Sequence, residues 1–268
     1  RPFTTIKPNV AVVAVPDPRL EDLKKISIAK EVIPAVIEFI DIAGLVKNAH
    51  QGEGLGNQFL SHIRNVDAVV HVVRIFEDES VSHVHTGLDP LYDIEVINQE
   101  LKAANIEKLV IYLLNFNKEE RPVPEFAEKI KNLISKLPLD KTLMIDLKFE
   151  EELTAFSAEE AAEFRGGFVS PLESVITLSY KILNLITFFT VKGENQLRAW
   201  ELKKGDQIIE AAGKIHTDFK EKFVRAEVVN WKNLVEASSW VKAKEKGLIK
   251  LAGKDYVVQE GDVIEIKI

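Results

Sequence analysis

A stretch between residues 41 and 59 contains residue types that could contact a bound phosphate and its magnesium ion. The apolar run AVIEFI leads into Asp41, Gly44 follows three residues later, and the loop GEGLGN comes next. An Asp at the end of a buried strand can hold Mg²⁺ through water, and the N–H of such a Gly can donate to a γ-phosphate. The GEGLGN glycines do not have the spacing of a dinucleotide-binding fingerprint. The alternative is a surface loop whose glycines only serve tight turns.

The elements around this stretch predict a parallel α/β sheet. Apolar, strand-like segments alternate with helical ones, which is typical of parallel strands joined by helices. The strand-like segments are NVAVVAV, AVIEFID, DAVVHVVRIF, KLVIYLLNF and KTLMIDL. AVIEFID is almost continuously apolar, so we expect it to be covered on both faces. DPLYDIEVINQELKAA predicts a helix with an Asp cap and a Pro in its first turn. Only IEK separates the end of this helix, LKAAN, from LVIYLLNF, which is a short connection.

Composition and charge predict two domains. Residues 186–268 carry 15 Lys/Arg against 13 Asp/Glu, whereas residues 1–185 carry 20 against 29. After residue 185 the alternation gives way to short strands and turns, so we predict an α/β domain over 1–185 and a small α+β domain over 186–268. The net charge of −7 argues against wrapping DNA or RNA, although the second domain is the better candidate for RNA contact.

Several features that the sequence lacks limit where in the cell the protein could act and which disulfides or metal sites it could contain. The chain has no Cys, which excludes disulfides and Cys-ligated zinc. No run approaches the roughly 18 apolar residues of a membrane span. The first residues, RPFTTIKPNV, lack a signal-peptide core and an initiator Met, so we expect that the natural chain begins earlier. We predict a cytoplasmic protein.

Several long segments resemble the YchF family of Obg-related P-loop NTPases, the Obg-like ATPases. They are RPFTTIKPNVAVVAVPDPRL, EFIDIAGLVKNAHQGEGLGNQFLSHIRNVDAVVHVVRIFED and DPLYDIEVINQEL. The C-terminal segments LITFFTV, LRAWELKKG, AAGKIHTDFKEKFVRAEVV and KDYVVQEGDVIEIKI are similar to the TGS domain of that family. The resemblance implies a G-domain-like NTPase fold followed by a β-grasp-like TGS domain. It also implies an ATP-hydrolysing switch with Mg²⁺ as cofactor and the ribosome or ribosomal RNA as partner.

The resemblance assigns roles to single residues. Thr5 lies where the switch I threonine completes the Mg²⁺ shell, and Asp41 with Gly44 forms the switch II pair. Leu45 stands where Ras-like GTPases carry the Gln that orients water, and an apolar side chain cannot polarise water. The family's His falls on His83, which becomes the candidate catalytic residue. Taken without the resemblance, a lone His in a polar loop is a solvated side chain.

The base-reading motif departs from that of GTPases. Asn115 matches the first position of the family's N-x-x-E motif, and we count Phe116 beside it among the nucleotide-binding residues. Lys118 occupies the fourth position and Glu119 follows it. No carboxylate is therefore placed to pair with guanine, so we predict ATP and leave GTP open. The later stretch IDLKF also departs from the family's SAK-like loop.

Two family features are absent from the sequence. The phosphate-binding motif G-x-x-x-x-G-K-[ST] does not occur, and the nearest stretch, GLIKLAGKD, is interpreted as a turn of the C-terminal domain. In the family, the P-loop comes just before the segment where this chain begins, and a coiled-coil arm is inserted at the IEK connection. These differences predict an incomplete chain or weak nucleotide binding. The alternatives are a non-enzymatic RNA- or ribosome-binding module and a structural α/β protein with an incidental D-x-x-G.

Other polar and aromatic segments have plainer interpretations. VKAKEKGLIK beside Trp240 could contact RNA phosphates, but a solvated helix face is favoured. FEEELTAFSAEEAAEF predicts one solvated amphipathic helix and not a metal site. His71 is expected to be a hydrogen-bonded core residue, and Trp200 and Trp231 are expected to serve packing.

Overall fold

The computed structural model describes residues 9–42, 55–78, 87–117, 124–192 and 196–268. The chain divides into two compact units, residues 1–11 with 39–179 and residues 12–38 with 180–268. Residues 12–38 thus group with the second unit, whereas the division after residue 185 that the sequence predicts assigns them to the first domain. Within the described ranges, no helix is long and apolar enough to cross a membrane.

Eleven strands and eleven α-helices are found in the described ranges. The strands are β1 (Asn9–Ala14), β2 (Glu31–Ile33), β3 (Val36–Asp41), β4 (Ala68–Arg74), β5 (Leu109–Asn115), β6 (Thr142–Ile145), β7 (Leu185–Lys192), β8 (Gln196–Lys203), β9 (Arg225–Asn230), β10 (Lys250–Ala252) and β11 (Asp262–Lys267). The helices are α1 (Arg19–Ile26), α2 (Leu55–Arg64), α3 (Pro90–Ala103), α4 (Pro124–Ser135), α5 (Leu147–Leu153), α6 (Ala158–Phe164), α7 (Pro171–Ile182), α8 (Ile208–Ile215), α9 (Thr217–Glu221), α10 (Trp231–Ala237) and α11 (Trp240–Glu245).

The first unit contains a parallel sheet in the order β4-β5-β6. On one face, Val73 and Leu114 pack with Ile94 of α3 and Leu133 of α4. On the other face, Leu113 belongs to a cluster that includes residues of β6 and α7. Helices on both faces confirm the predicted α/β class, and they leave the ends of the strands available for a site.

The start of α3 confirms the predicted cap. Asp89 Oδ1 accepts a hydrogen bond from Tyr92 N at 3.1 Å, and Pro90 occupies the first turn, where its missing N–H costs nothing. At its other end, the helix is joined to β5 by residues 104–108. Asn105 takes a left-handed conformation there with φ of 52°. This conformation turns the chain from helix to strand within a few residues.

The strand β3 is less covered than its sequence predicts. β1 and β3 form a two-stranded sheet, and Val36 and Glu38 are exposed. The expectation of cover on both faces was wrong, because apolar content alone does not specify which elements pack on a strand. The three-residue strand β2 was not predicted from the sequence.

The acidic segment FEEELTAFSAEEAAEF, residues 149–164, contributes to two helices, α5 and α6, and not to one. Ser157 Oγ accepts a hydrogen bond from Glu160 N, and the Glu160 carboxylate accepts one from Ser157 N. This capping box satisfies the first N–H groups of α6 and begins a new helix after α5. The S-x-x-E signal for this break was present in the sequence. Likewise, the predicted helix KKGDQIIEAAG begins only at Ile208, because Gly205 makes a turn with φ of 99°.

The second unit is built on a six-stranded sheet in the order β10-β9-β11-β7-β8-β2. β7 and β8 are antiparallel, whereas β11 runs parallel to β7. Helix α8 packs on one face, where Ile208 joins Phe188 and Leu202 in a fully buried core. This mixed sheet with its packed helix has the β-grasp character predicted for the C-terminal domain. GLIKLAGKD, residues 247–255, follows α11 and contains β10, so it belongs to the second unit but includes a short strand as well as turns.

Candidate functional site

The carboxyl ends of β4, β5 and β6 form one edge of the parallel sheet. In register, Arg74 faces Asn115, and Asn115 faces Ile145. Ligands of open α/β sheets bind outside this edge, because there the loops after neighbouring strands meet. The edge therefore defines a candidate nucleotide site in the first unit.

Asn115 joins two of the loops that leave this edge. Its side-chain Oδ1 accepts a hydrogen bond from Leu147 N at 3.1 Å, and its backbone oxygen accepts one from Ile75 N at 2.9 Å. The side chain is half-buried. These bonds fix the turn between β6 and α5 against the end of β5, while a role of Asn115 in binding a nucleotide stays a prediction.

Asp146 supports the same turn. It is 8% exposed, and its Oδ1 accepts a hydrogen bond from Phe149 N at 3.0 Å, which caps α5. Sequence analysis noted IDLKF only as a departure and missed this residue. An Asp immediately before a helical run was the available signal.

The backbone of Phe116 lies at the carboxyl edge of the sheet, whereas its ring packs into the protein. Its N–H donates to the Ile145 oxygen at 2.9 Å, and its ring packs against the cluster that contains Leu114 and Leu133. The backbone position suits a base pocket. Direct contact between the ring and a nucleotide stays a prediction.

Arg74 adds a positive charge to the edge. Its guanidinium lies 5.5 Å from the ring centroid of Phe76, in the loop that follows β4. The attraction between the cation and the face of the ring helps to position the guanidinium. Sequence analysis did not single out Arg74, because only the strand register places it opposite Asn115.

Asp41 is an exposed carboxylate at the last position of β3. Phe39 and Ile42 on either side of it pack against two different hydrophobic clusters, so the backbone that carries the carboxylate is anchored. Mg²⁺ in nucleotide sites is commonly held by one or two carboxylates, phosphate oxygens and water. Across the described residues, no group of three or more His, Cys, Asp or Glu could hold a metal. A single exposed carboxylate is compatible with a magnesium ion held mainly by phosphate oxygens and water, and the metal-binding role of Asp41 stays a prediction.

Three predicted site residues lie outside the described residues, namely Thr5, Gly44 and His83. Leu45 and Lys118 lie outside them as well. Their roles stay predictions. The structure brings Asn115 and Phe116 together at one edge of the sheet.

His71 departs from its expected environment. It lies in β4 beside Tyr112, with ring centroids 6.0 Å apart, and its buried Nδ1 has no hydrogen-bond partner in the protein. Burial lowers the pKa of His71 to about 4, which keeps the ring neutral. His71 is half-buried and belongs to none of the core clusters of the described residues, and the expectation of a hydrogen-bonded ring was wrong for this nitrogen.

A groove of about 630 Å³ lies at the opposite end of β5 from Asn115. Its lining includes Asn98, Lys102 and Lys108. Lys108 Nζ donates to the backbone oxygens of Arg64 and Val66, which ties the start of β5 to the end of α2. The groove is remote from the carboxyl edge, so it is not the candidate nucleotide site.

Trp200 and the lysine-bearing helix α11 both belong to the second unit. Trp200 packs against the core beside Phe188, as predicted, and Arg198 stacks on its outer side at 3.8 Å from the ring centroid. On α11, Lys242 is exposed, and Lys244 Nζ lies 3.4 Å from Glu227 Oε1. The choice between a solvated helix face and an RNA contact is untested for this helix.

Two family models match the chain. Residues 1–118 match MMR_HSR1, described as 50S ribosome-binding GTPase. Residues 185–268 match YchF-GTPase_C, described as a protein of unknown function (DUF933). The first match contains Asp41, Arg74, Asn115 and Phe116 but not Asp146, and the second contains five of the six strands of the second unit's sheet.

Curated relatives match over nearly the whole chain. The ribosome-binding ATPase YchF of Buchnera aphidicola subsp. Schizaphis graminum is 38% identical over 98% of this chain and 90% of its own length. The protein of the same name from Bacillus subtilis is 36% identical over 99% and 90%. The Buchnera comparison runs over 325 residues, 57 more than the 268 of this chain, so the relative has additional residues inside the aligned region.

A solved structure also matches. The structure of the Schizosaccharomyces pombe YchF GTPase aligns with a TM-score of 0.80 at 31% identity and covers 99% of this chain and 89% of its own. The sequence similarity and the structural similarity therefore both extend over nearly the whole chain.

Proposed function

This chain belongs to the YchF family, and from that membership we propose that the protein is a nucleotide-dependent switch that hydrolyses ATP and binds the ribosome. The observation that carries the proposal is the near full-length similarity to relatives named ribosome-binding ATPases. A switch of this kind needs a partner that distinguishes its two nucleotide states, and the ribosome is that partner. Because ribosomes work in the cytoplasm, the protein acts there.

The carboxyl edge of the parallel sheet is the proposed base pocket. Asn115 holds the β6–α5 turn in place through Leu147 N, so the walls of the pocket are positioned before a base arrives. Phe116 supplies backbone, and Arg74 supplies positive charge beside the nucleotide. Lys118 stands where a guanine-reading carboxylate would be, so the pocket favours ATP over GTP.

The remaining proposed roles concern phosphate and metal. Mg²⁺, when bound with the nucleotide, neutralises charge that develops on the phosphates. Asp41 and Thr5 are the residues that would hold that ion. Gly44 donates its N–H to the γ-phosphate, and His83 orients the attacking water.

The test is ATP and GTP hydrolysis by the purified protein with ribosomes present, compared with Asp41→Asn. This substitution keeps the shape of the side chain and removes its charge, so we expect ATP turnover to fall at least tenfold and the magnesium requirement to rise. Glu95→Gln, which alters an exposed residue of α3, is the matched control and should leave turnover unchanged. Equal turnover in Asp41→Asn and the parent would overturn the role of Asp41.

A second candidate is a ribosome-binding module without hydrolytic activity. One observation favours it, since residues 185–268 match a family model of their own, separate from the match that contains Asn115. The same experiment separates the two functions. Undetectable ATP binding and turnover, with co-sedimentation with ribosomes retained, would establish the module and exclude the ATPase.

A further inference from the structure

A group of apolar side chains stands exposed on the first unit, around α6 and the start of α7. We call it the aromatic face, and it consists of Phe156, Phe164, Phe168, Val169 and Leu172. Phe168 and Val169 are 79% and 69% exposed. Phe156 and Phe164 contact each other with ring centroids 4.9 Å apart, yet both remain exposed. Four residues span at most about 14 Å, so Phe168 stays close to this pair.

The segment that carries Phe168 and Val169 is held firmly in place. Gly166 and Gly167 adopt φ of 68° and 78°, and their N–H groups donate to the oxygens of Glu163 and Ala162 to close the end of α6. The Phe168 ring lies 3.7 Å from the position that a Cβ on Gly166 would occupy. The turn therefore has a defined conformation that directs an apolar side chain to the surface.

A buried ion pair anchors both ends of the same segment. Arg165 donates two hydrogen bonds to the Glu150 carboxylate, at 3.0 and 2.8 Å. Ser170 Oγ donates a third to Glu150 at 2.8 Å. Glu150 is 4% exposed, so these contacts are shielded from water. Phe168 and Val169 lie between the two anchored residues, and such a preorganised apolar surface loses little entropy when it binds a partner.

The rim of the aromatic face is strongly acidic. Within residues 147–173, the stretch that carries the aromatic face, six glutamates are exposed and Lys148 is the one cation of the exposed class. The glutamates are Glu151, Glu152, Glu159, Glu160, Glu163 and Glu173. Large exposed apolar patches with a polar rim mark interaction surfaces, and the sign of the rim selects the charge of the partner.

We propose that the aromatic face docks a basic segment of another protein, with Lys or Arg residues flanking aromatic or aliphatic ones. Phosphates of RNA would meet the glutamate rim with like charge. A second copy related by twofold symmetry would bring two acidic rims together. A basic, apolar-bearing polypeptide satisfies both the centre and the rim. This inference is independent of nucleotide hydrolysis and concerns a surface that the candidate nucleotide site does not use.

The test is selection of a phage-displayed library of random 16-residue peptides on the purified full chain. We expect the enriched peptides to combine net positive charge with aromatic or aliphatic residues. Phe168→Ser with Val169→Ser should weaken their binding at least tenfold, measured by fluorescence anisotropy. Leu251→Ser, which alters a 69% exposed residue of the second unit, is the matched control and should bind like the parent. Circular dichroism checks that both variants stay folded.

Further experiments test the charge of the rim and the other partners that could bind the aromatic face. Glu159→Lys with Glu163→Lys should weaken the same peptides, and added salt should weaken the parent's binding. No enrichment, enrichment of neutral or acidic peptides, or binding unaffected by Phe168→Ser would overturn the proposal. So would a concentration-dependent dimer in sedimentation, or binding of poly(U) RNA, if either were lost in the Phe168 and Val169 variant.

Discussion

Strands of the two units differ in how far their apolar side chains are buried. In the second unit, Phe188, Leu197 and Leu202 have no exposed surface. In the first unit, Val72 of β4 is 51% exposed and Met144 of β6 is 39% exposed. Both units are built from apolar strands, so apolar content does not set the difference. Position in the sheet does, because β7 and β8 lie inside the six-stranded sheet, whereas β4 and β6 are the edges of the three-stranded sheet.

The largest effect should come from removing a core ring in the second unit. Phe188→Ala leaves a cavity that the packed sheet cannot close, and we expect the free energy of unfolding to fall by about 4 kcal/mol. Val72→Ala, the counterpart in the first unit, should cost less than about 1 kcal/mol because half of the side chain is already in water. Urea unfolding measures both.

The location of the tryptophans makes this comparison possible within one chain. Trp200, Trp231 and Trp240 are its three tryptophans, and all belong to the second unit. Tryptophan fluorescence therefore follows that unit, while far-UV circular dichroism follows both. A similar loss of stability in the two variants would show that the difference in burial has no energetic meaning.

We expect the stability of the first unit to depend on pH through His71. Burial lowers the pKa of His71 to about 4, against about 6.5 in an unfolded chain. Between these values the unfolded state binds a proton that the folded state does not, so the first unit loses stability as pH falls from 6.5 to 4. The loss approaches about 3 kcal/mol.

His71→Gln removes this titration and is the control for it. Carboxylates also titrate near pH 4, so the useful quantity is the difference in unfolding free energy between variant and parent at pH 7, 5.5 and 4.5. We expect the parent to lose more stability than the variant across this series. Parallel curves would mean that His71 is protonated without cost in the folded state.

Removing the brace at the carboxyl edge should have a smaller effect than the changes at Phe188 and His71. Asn115→Ala leaves Leu147 N without its acceptor and should cost about 1–2 kcal/mol of stability. It should also weaken nucleotide binding by loosening the β6–α5 turn. Asn115→Asp retains an oxygen at the accepting position and should keep most of the stability. If both variants behave alike, the hydrogen bond to Leu147 does not hold the turn.

Much of the first unit could be predicted from local sequence. The alternation of strands and helices and the Asp89 cap depend on neighbouring residues, and the structure reproduces them. The pairing of β2 with β8 could not be predicted, because three residues carry no periodicity and their partner lies more than 160 positions away. The break before α6 had a local signal in Ser157 and Glu160, which the long acidic run obscured.

The candidate site shows the same division. Asn115 follows from a motif, and the structure places it at the edge of the sheet. Arg74 and Asp146 join it only through strand register and a helix cap, which depend on the assembled sheet. Sequence patterns identify residues whose chemistry is recognisable alone, whereas their neighbours emerge from topology.

The turn at Asn105 is a place where a guest segment could be inserted into the chain. Arg64 Nη2 donates to the Ala104 oxygen at 2.6 Å, and Lys108 is bonded to the end of α2, so both sides of the turn are tethered to a common helix. The entropy of closing a loop grows only with the logarithm of its length, so a guest segment of some sixty residues spliced there would cost about 2 kcal/mol. A fluorescent reporter or an affinity handle could be grafted at this turn while the sheet beneath it stays intact.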